Sequence, residues 1–456
     1  MPKRKDSKFK ASVTQKVTSA PSSPVTSLDS ESEPLAIRRL KRRKFLEDTS
    51  GPHVDRTLRT QINNQISKCP EASSTGNKSR TAANANKEDA TVHDHIFRNF
   101  KLRRIVKENH GHDINALSFF FNLGNYEAPV GVEYIKSYDK SGHVERDIAD
   151  TSNILASVGD VQANIYDNEH MGDHLDIMSN FALNKKPEEE LLTCCWLCRQ
   201  DDALLAIAGK SASIYILSLA LSRTIKTLTG HTDTITDIQK YPKDDQHLLS
   251  ASRDGSVRIW RVDDKSCLYI FETKASVVCW HPSGETFITG SYHGDIRYWT
   301  TPDLTMPPKR PQEFDTQTCE IISRKMHTGQ IDCIRFANGN VLSKSTNGKI
   351  EYWNPESMSK IRTFHVKNSS HSRFDVSLDE RYLCVGTSSG SVLVFNLITG
   401  KLIAELNHRR SMKSVKCCLF SRDYKSVIAA GEDAYIWRFD YISDETLKEW
   451  ENWKAN

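Results

Sequence analysis

Apolar and polar residues alternate in short runs over most of this chain beyond its first hundred residues, and the clearest stretch is Gly230 to Trp260, GHTDTITDIQKYPKDDQHLLSASRDGSVRIW. Two alternating segments flank a Pro-containing turn, and a third strand, SVRIW, follows an Asp-Gly turn. Val257 and Ile259 share one face of that strand, as a half-buried strand requires. Asp254-Gly255 supplies the positive-φ geometry that a two-residue hairpin prefers. With Trp260 as reference, equivalent strand ends are Tyr166, Leu217, Trp260, Trp299, Trp353, Phe395 and Trp437, at intervals of 51, 43, 39, 54, 42 and 42 residues. The turn before each is small and polar: SVGDVQ, AGKSAS, SRDGS, SYHGD, STNGK, TSSGS and GEDAY. Upstream, LRRIV (102–106), NALSFFFN (115–122) and VGVEYI (131–136) also read as strands, whereas the long polar pieces 137–152 and 167–188 read as loops inserted between or within repeats.

Seven units of this size predict an all-β fold, a seven-bladed WD-repeat β-propeller. RRIVKEN (103–109) is expected to supply the outer strand of the last blade and so close the ring, which removes free strand edges. His231, Ser252, Asp254 and Trp260 are the residue types that pair within a WD-repeat blade: carboxylate to imidazole, imidazole to hydroxyl, hydroxyl to indole N–H. Such a network satisfies buried polar groups and pins strand register. The same Ser, His and Asp types also build a nucleophilic triad; the structural role is the one expected here. His293 and Asn347 stand at the Asp position of two repeats, and Leu217 and Phe395 replace Trp in two others. The network is therefore expected to be complete in only one or two blades.

Residues 1–96 are rich in Ser, Thr, Lys, Asn and Asp with no sustained apolar period, and are expected to be a disordered basic tail. The propeller is assigned to 97–442 and a short C-terminal tail to 443–456, where Leu447, Trp450 and Trp453 could form one face of a short helix. The net charge of +4 is uneven: residues 1–50 carry 12 Lys/Arg against 6 Asp/Glu. The folded part is thus not a generic nucleic-acid binder, while the tail could be. Two basic clusters stand in the tail, Pro2-Lys3-Arg4-Lys5 and the run from Arg38 to Lys44, whose Arg38, Arg39, Lys41, Arg42, Arg43 and Lys44 resemble a nuclear import signal.

The 11 cysteines show no paired framework, and no apolar run approaches membrane-spanning length, which points to reduced thiols in cytosol or nucleus. Cys195 and Cys198 form a lone C-x-x-C on a strand, where the two sulfurs turn to opposite sides, so neither zinc nor redox chemistry is expected. His110-Gly-His112 has no companions and reads as a turn. PPKRP (307–311) sits in an expected exposed loop. No phosphate-cradling Gly loop, G-x-S-x-G or H-E-x-x-H is present, so no enzyme activity, cofactor or metal is expected.

The second half carries a specific likeness. IDCIRF (331–336), VLSKS (341–345) and NGKIEYW (347–353) resemble the fifth repeat of the EED/extra sex combs family of Polycomb-group proteins, and SRDYKSVIAAGEDAYIWRFD (421–440) resembles its terminal repeat. TCCW (193–196), LLAIAG (204–209) and the stretch from Gly230 agree as well, so the likeness covers most of 100–442, weakest at the inserts and the sixth repeat. The chain looks like a divergent invertebrate member. The resemblance implies a nuclear, non-catalytic scaffold subunit of a Polycomb-type histone methyltransferase complex. Its partners would be a SET-domain lysine methyltransferase, other Polycomb subunits and a histone tail, in the service of transcriptional repression. In that family an aromatic cage on one face reads a trimethylated lysine, whose quaternary ammonium is held over ring faces. The cage positions here fall on Asn115, Leu192, Ser372 and Arg373, and the accompanying Arg position on Lys416. None supplies a ring; a shift of a residue or two would bring in Phe374 or Phe119. Two other classes stand beside this one. A ubiquitin-ligase substrate receptor would often show Trp-Asp-x-Arg at repeat ends, which here read WRVD, WTTP, WNPE and WRFD. A propeller hydrolase would need convergent acidic or metal groups at the channel mouth.

Overall fold

A computed structural model of the chain describes residues 94–107, 110–120, 154–170, 174–183, 189–199, 202–315, 320–367, 371–409, 413–421 and 424–455. The basic clusters 2–5 and 38–44, the strand expected at 131–136 and the insert 137–152 lie outside the described residues.

The described residues form seven sheets, six of four antiparallel strands and one of five whose outermost strand is parallel. The first strands of the seven blades are Ala116–Phe120, Leu191–Arg199, Ile235–Lys240, Ala275–Trp280, Ile331–Ala337, Asp375–Val376 and Val415–Phe420. Neighbouring first strands lie side by side around the axis, so the ring is lined by the start of each repeat. Seven apolar clusters fill the seams between adjacent blades, one to a seam, and the cluster joining Ile114, Leu155 and Tyr166 to Ile428 and Ile436 closes blade 7 on blade 1. Side chains alternate along each strand, so every blade feeds the two seams on either side of it. Cys195 and Cys198 follow this rule: the first packs toward the blade 2–3 seam, the second toward the blade 1–2 seam, and both are free thiols.

Ring closure is made by the strand Phe100–Lys107, which pairs antiparallel with Tyr435–Tyr441 as the outer strand of blade 7. Just before it, Ile96 and Phe97 are buried in the blade 6–7 cluster, and Asn396 donates to the carboxylate of Asp94 at 2.9 Å. The folded body thus begins slightly ahead of Phe97. The C-terminal helix Asp444–Ala455 starts beside the same strand, with Asn99 donating to Asp444 at 2.6 Å and the Ser443 hydroxyl accepting from the Thr446 N–H.

Six reference residues fall at one equivalent point of the third strand, where the pairing with the fourth strand slips by one residue. In blade 7 that point is Phe439, not Trp437: Phe439 lies opposite Val427 as Trp260 lies opposite Leu248. The turn from Ser252 to Ser256 holds three residues rather than two, with Gly255 at φ 85° and its N–H donating to Ser252 O. Ala434 takes the same left-handed place at φ 59° in blade 7.

One inserted piece differs from expectation. The segment 167–188 is not a loop through most of its length: Gln162–His170 and His174–Ala182 form the hairpin of the outer two strands of blade 1. Its polar sequence suits an outermost strand, where Leu175 and Phe181 are buried and Asp176, Ile177, Met178 and Asn180 face solvent. Downstream, the piece containing PPKRP crosses from blade 4 to blade 3. There Gln312–Phe314 adds a fifth, parallel strand beside Ser266–Glu272, with Phe314 stacked on Phe271 and the Tyr269 hydroxyl donating to Asp303 O.

Candidate functional site

Polar side chains concentrate in two places, within the blades and along the channel, and their partners decide what each can do. In blade 3, His231 Nδ1 meets Asp254 Oδ2 at 2.7 Å, and Nε2 meets the Ser250 hydroxyl at 2.7 Å. Trp260 Nε1 donates to that same hydroxyl at 2.8 Å. The hydroxyl of the network is therefore Ser250, not Ser252. Both lie on one face of the strand His247–Ser252; Ser252 instead donates to Asp233 O and accepts from the Asp254 N–H. Burial opposes the charge on Asp254, but His231 and Ser256 outweigh it and hold the carboxyl far below the ordinary range. The His231 side chain has no exposed surface, so no substrate atom can reach it. These groups are a structural tie rather than a triad.

Shorter versions occur elsewhere. In blade 5, His327 and Trp353 share the Ser343 hydroxyl at 2.8 and 3.1 Å, while Asn347 bonds Thr328 and leaves His327 Nδ1 without a partner. Burial pushes that imidazole down to about 4. In blade 1, His110 meets the Ser157 hydroxyl at 2.9 Å, which in turn meets the Tyr166 hydroxyl at 3.2 Å. The expectation that His110 lacked companions is corrected: its partners Ser157 and Tyr166 stand about 50 residues further along the chain, too far for the local pattern to show.

Along the channel, carboxylate and amide oxygens accept from the free-edge N–H groups of the next blade's first strand. Asp237 takes Val278, Gln239 takes Trp280 and Asp375 takes Phe420. These N–H groups have no ladder partner, so a side-chain acceptor removes the penalty of leaving them unpaired. Burial raises the Asp375 carboxyl to about 6. Lys344 and Asp332 form a deeply buried ion pair at 2.6 Å behind the channel wall.

Of the five positions assigned to the reader face, Asn115, Arg373 and Lys416 are tied into a braced polar frame along the channel. Lys416 donates to Asp113 at 2.6 Å and to Asn115 at 3.0 Å. Asn115 passes the chain on to Glu190 and to Leu191 O, and Lys210 pairs with Glu190 at 2.7 Å. Arg373 reaches from blade 6 to blade 3, donating to Asp237 at 2.8 Å and to Thr236 O at 2.8 Å, with Thr193 at 3.4 Å. Ser372 is fully buried with its hydroxyl unpaired, and Leu192 is half-buried. The alternative rings are unavailable: Phe374 is 1 % exposed in the blade 5–6 seam and Phe119 lies buried in the blade 7–1 seam. Arg373 thus acts as a bolt across the axis. Asp113, Glu190 and Asp237, which complete the frame, had no motif to mark them.

Cys194 and Cys279 are pushed up to about 12 by burial, which keeps them as inert thiols. Among the described residues no group of three or more His, Cys, Asp or Glu is placed to hold a metal ion, and no helix is long and apolar enough to cross a membrane.

Comparison with known proteins agrees with the architecture. The model of the WD domain, G-beta repeat, matches residues 222–261 and 265–300. The Polycomb group protein FIE2 of Zea mays is 24% identical over 57% of this chain and 77% of its own length. The Polycomb protein esc of Drosophila melanogaster is 22% identical over 75% of this chain and 84% of its own. A chain in the structure of a humanized mutant of the Chaetomium thermophilum Polycomb Repressive Complex 2, bound to the inhibitor GSK126, superposes with a TM-score of 0.60. It is 13% identical and is covered over 97% of its length by 75% of this chain.

Proposed function

We propose that the chain is a member of the EED/extra sex combs family of Polycomb-group WD-repeat proteins and serves as the non-catalytic scaffold subunit of a Polycomb-type repressive complex. In this reading it holds a SET-domain lysine methyltransferase and other Polycomb subunits, and supports histone H3 lysine methylation in the nucleus. The observation that carries it is a closed ring whose channel-mouth acids and bases are engaged with one another, joined to an esc relative that the chain matches over 84% of that relative's length. A ring of this kind offers faces for peptides and helices.

The reader face is proposed to take no trimethylated lysine. A quaternary ammonium needs ring faces, and the five positions supply an amide, an aliphatic chain, a hydroxyl and two cations, of which Arg373 and Lys416 would repel it. Nuclear import is assigned to Arg38, Arg39, Lys41, Arg42, Arg43 and Lys44; deletion of 38–44 should lower nuclear accumulation, and an unchanged distribution would refute that assignment. Affinity capture from nuclear extract tests the main reading. Recovery of a SET-domain protein supports it, whereas recovery of a cullin and its adaptor supports the ubiquitin-ligase reading.

A further inference from the structure

The connection between the third and fourth strands of blade 4 carries the segment Met306-Pro307-Pro308-Lys309-Arg310-Pro311, which the scaffold reading leaves without a role. The fold fixes this segment at both ends. On the near side, Leu304 packs into the blade 3–4 seam, and the Asp303 carboxylate accepts from the Thr305 N–H at 2.8 Å and from its hydroxyl at 2.7 Å. On the far side, Gln312–Phe314 pairs with Tyr269, Ile270 and Phe271. Tyr269 serves both anchors: its hydroxyl donates to Asp303 O at 2.7 Å, and its ring packs on Phe314 with centroids 5.9 Å apart. Between the anchors most side chains face water. Met306 is 80% exposed, more than any other large hydrophobic residue among those described. Lys309, Arg310 and Pro311 are exposed, and Pro307 and Pro308 half-buried. Neither cation has a hydrogen-bond or ion-pair partner among the described residues.

Prolines in a crossing loop can serve only to stiffen it. Stiffening does not call for a bare thioether and two unpaired cations beside them. We infer that the segment is a docking peptide for another protein, one that presents a groove lined by aromatic rings and flanked by carboxylates. Ring faces take proline rings and the Met306 sulfur, while carboxylates and ring faces take Lys309 and Arg310. The prolines hold φ near about −65°, and the fixed ends limit the rest, so binding orders few new torsions. The chain bends at Lys309 and Arg310. Among the described residues no hydrogen bond holds that bend, so little opposes straightening into the extended polyproline form. A second Pro-x-x-Pro, Pro21-Ser22-Ser23-Pro24, has no Lys or Arg between Val17 and Asp29, so charge singles out Pro308 to Pro311. A phosphate backbone would use the two cations and leave Met306 and the prolines without a partner.

The test is a panel of immobilised SH3, WW and EVH1 domains, whose grooves have this chemistry, probed with the full chain by surface plasmon resonance. At least one domain should bind. P308A/P311A and K309Q/R310Q should each weaken that binding about tenfold. K309R/R310K, which keeps charge and prolines, should bind like the parent. The same losses should appear in a P21A/P24A chain, which separates the loop from the other Pro-x-x-Pro. Binding by no domain of the panel overturns the inference, as does binding that P308A/P311A leaves unchanged or that P21A/P24A alone abolishes. Self-association in sedimentation that P308A/P311A removes would assign the segment to a second copy of this chain and likewise overturn it. Should P308A/P311A fail to fold, K309Q/R310Q, outside any strand, must still show the tenfold loss.

Discussion

Removing the cation of the axial bolt should cost far more than an exposed ion pair would. In Arg373→Met, Asp237, 2 % exposed, keeps the Val278 N–H at 3.2 Å, the Thr193 hydroxyl at 3.4 Å and the more distant Arg335 cation to face its charge. Breaking a buried pair in this way costs about 3–5 kcal/mol, because the remaining charge is uncompensated. The Arg373 side chain keeps 22% of its surface open, which allows some water to relieve the loss and points to the lower end, about 3 kcal/mol. Asp237→Asn in the same chain removes the orphaned charge, so D237N/R373M should recover about 2 kcal/mol of that loss. Urea unfolding followed by circular dichroism reads both variants and their coupling. If R373M unfolds within about 1 kcal/mol of the parent, or the two substitutions simply add, the bolt is not what holds blade 6 to blade 3.

Other consequences are equally direct. Ser250→Ala strands both His231 and Trp260 and should cost about 2–3 kcal/mol, against about 1 for Ser252→Ala; equal losses in urea would return the network to Ser252. His327 titrates near 4 in the fold and near 6.5 unfolded, so its neutral form stabilises the ring at neutral pH and that contribution falls as pH drops from about 6.5 toward 4. The loss is about 2 kcal/mol by pH 5, and the difference between the parent and His327→Gln across pH 7 to 5 should show it. Asp375 acts in the opposite sense: its raised carboxyl favours the fold below about pH 4 and this advantage fades up to about 6, which is why the comparison is made between variants. A chain starting at residue 108 lacks the closing strand and the buried Ile96, Phe97 and Phe100, and should lose cooperative unfolding; one starting at residue 90 should keep it.

Much of this architecture was legible because a strand's two-residue alternation and a tight polar turn recur in each repeat. The same periodicity explains the errors. Ser250 and Ser252 lie on one face, as do Trp437 and Phe439, so a slip of two residues leaves the pattern intact and only the pairing register decides. His110 stands too far along the chain from Ser157 and Tyr166 for the local pattern to join them. The parallel pairing of Gln312–Phe314 with Ser266–Glu272 joins segments far apart in the chain with no turn to signal it. At the channel mouth, sequence located Asn115, Leu192, Ser372, Arg373 and Lys416 by likeness alone. What braces them, Asp113, Glu190 and Asp237, comes from three different blades.

The scaffold reading is tested most directly by reconstituting the SET-domain subunit with and without this chain and measuring methyl transfer to histone H3. Transfer should require the chain, the chain alone should transfer nothing, and a trimethyl-lysine peptide should neither bind the ring nor raise the rate. Full activity of the SET-domain subunit without the chain, or turnover by the chain alone, would contradict the account.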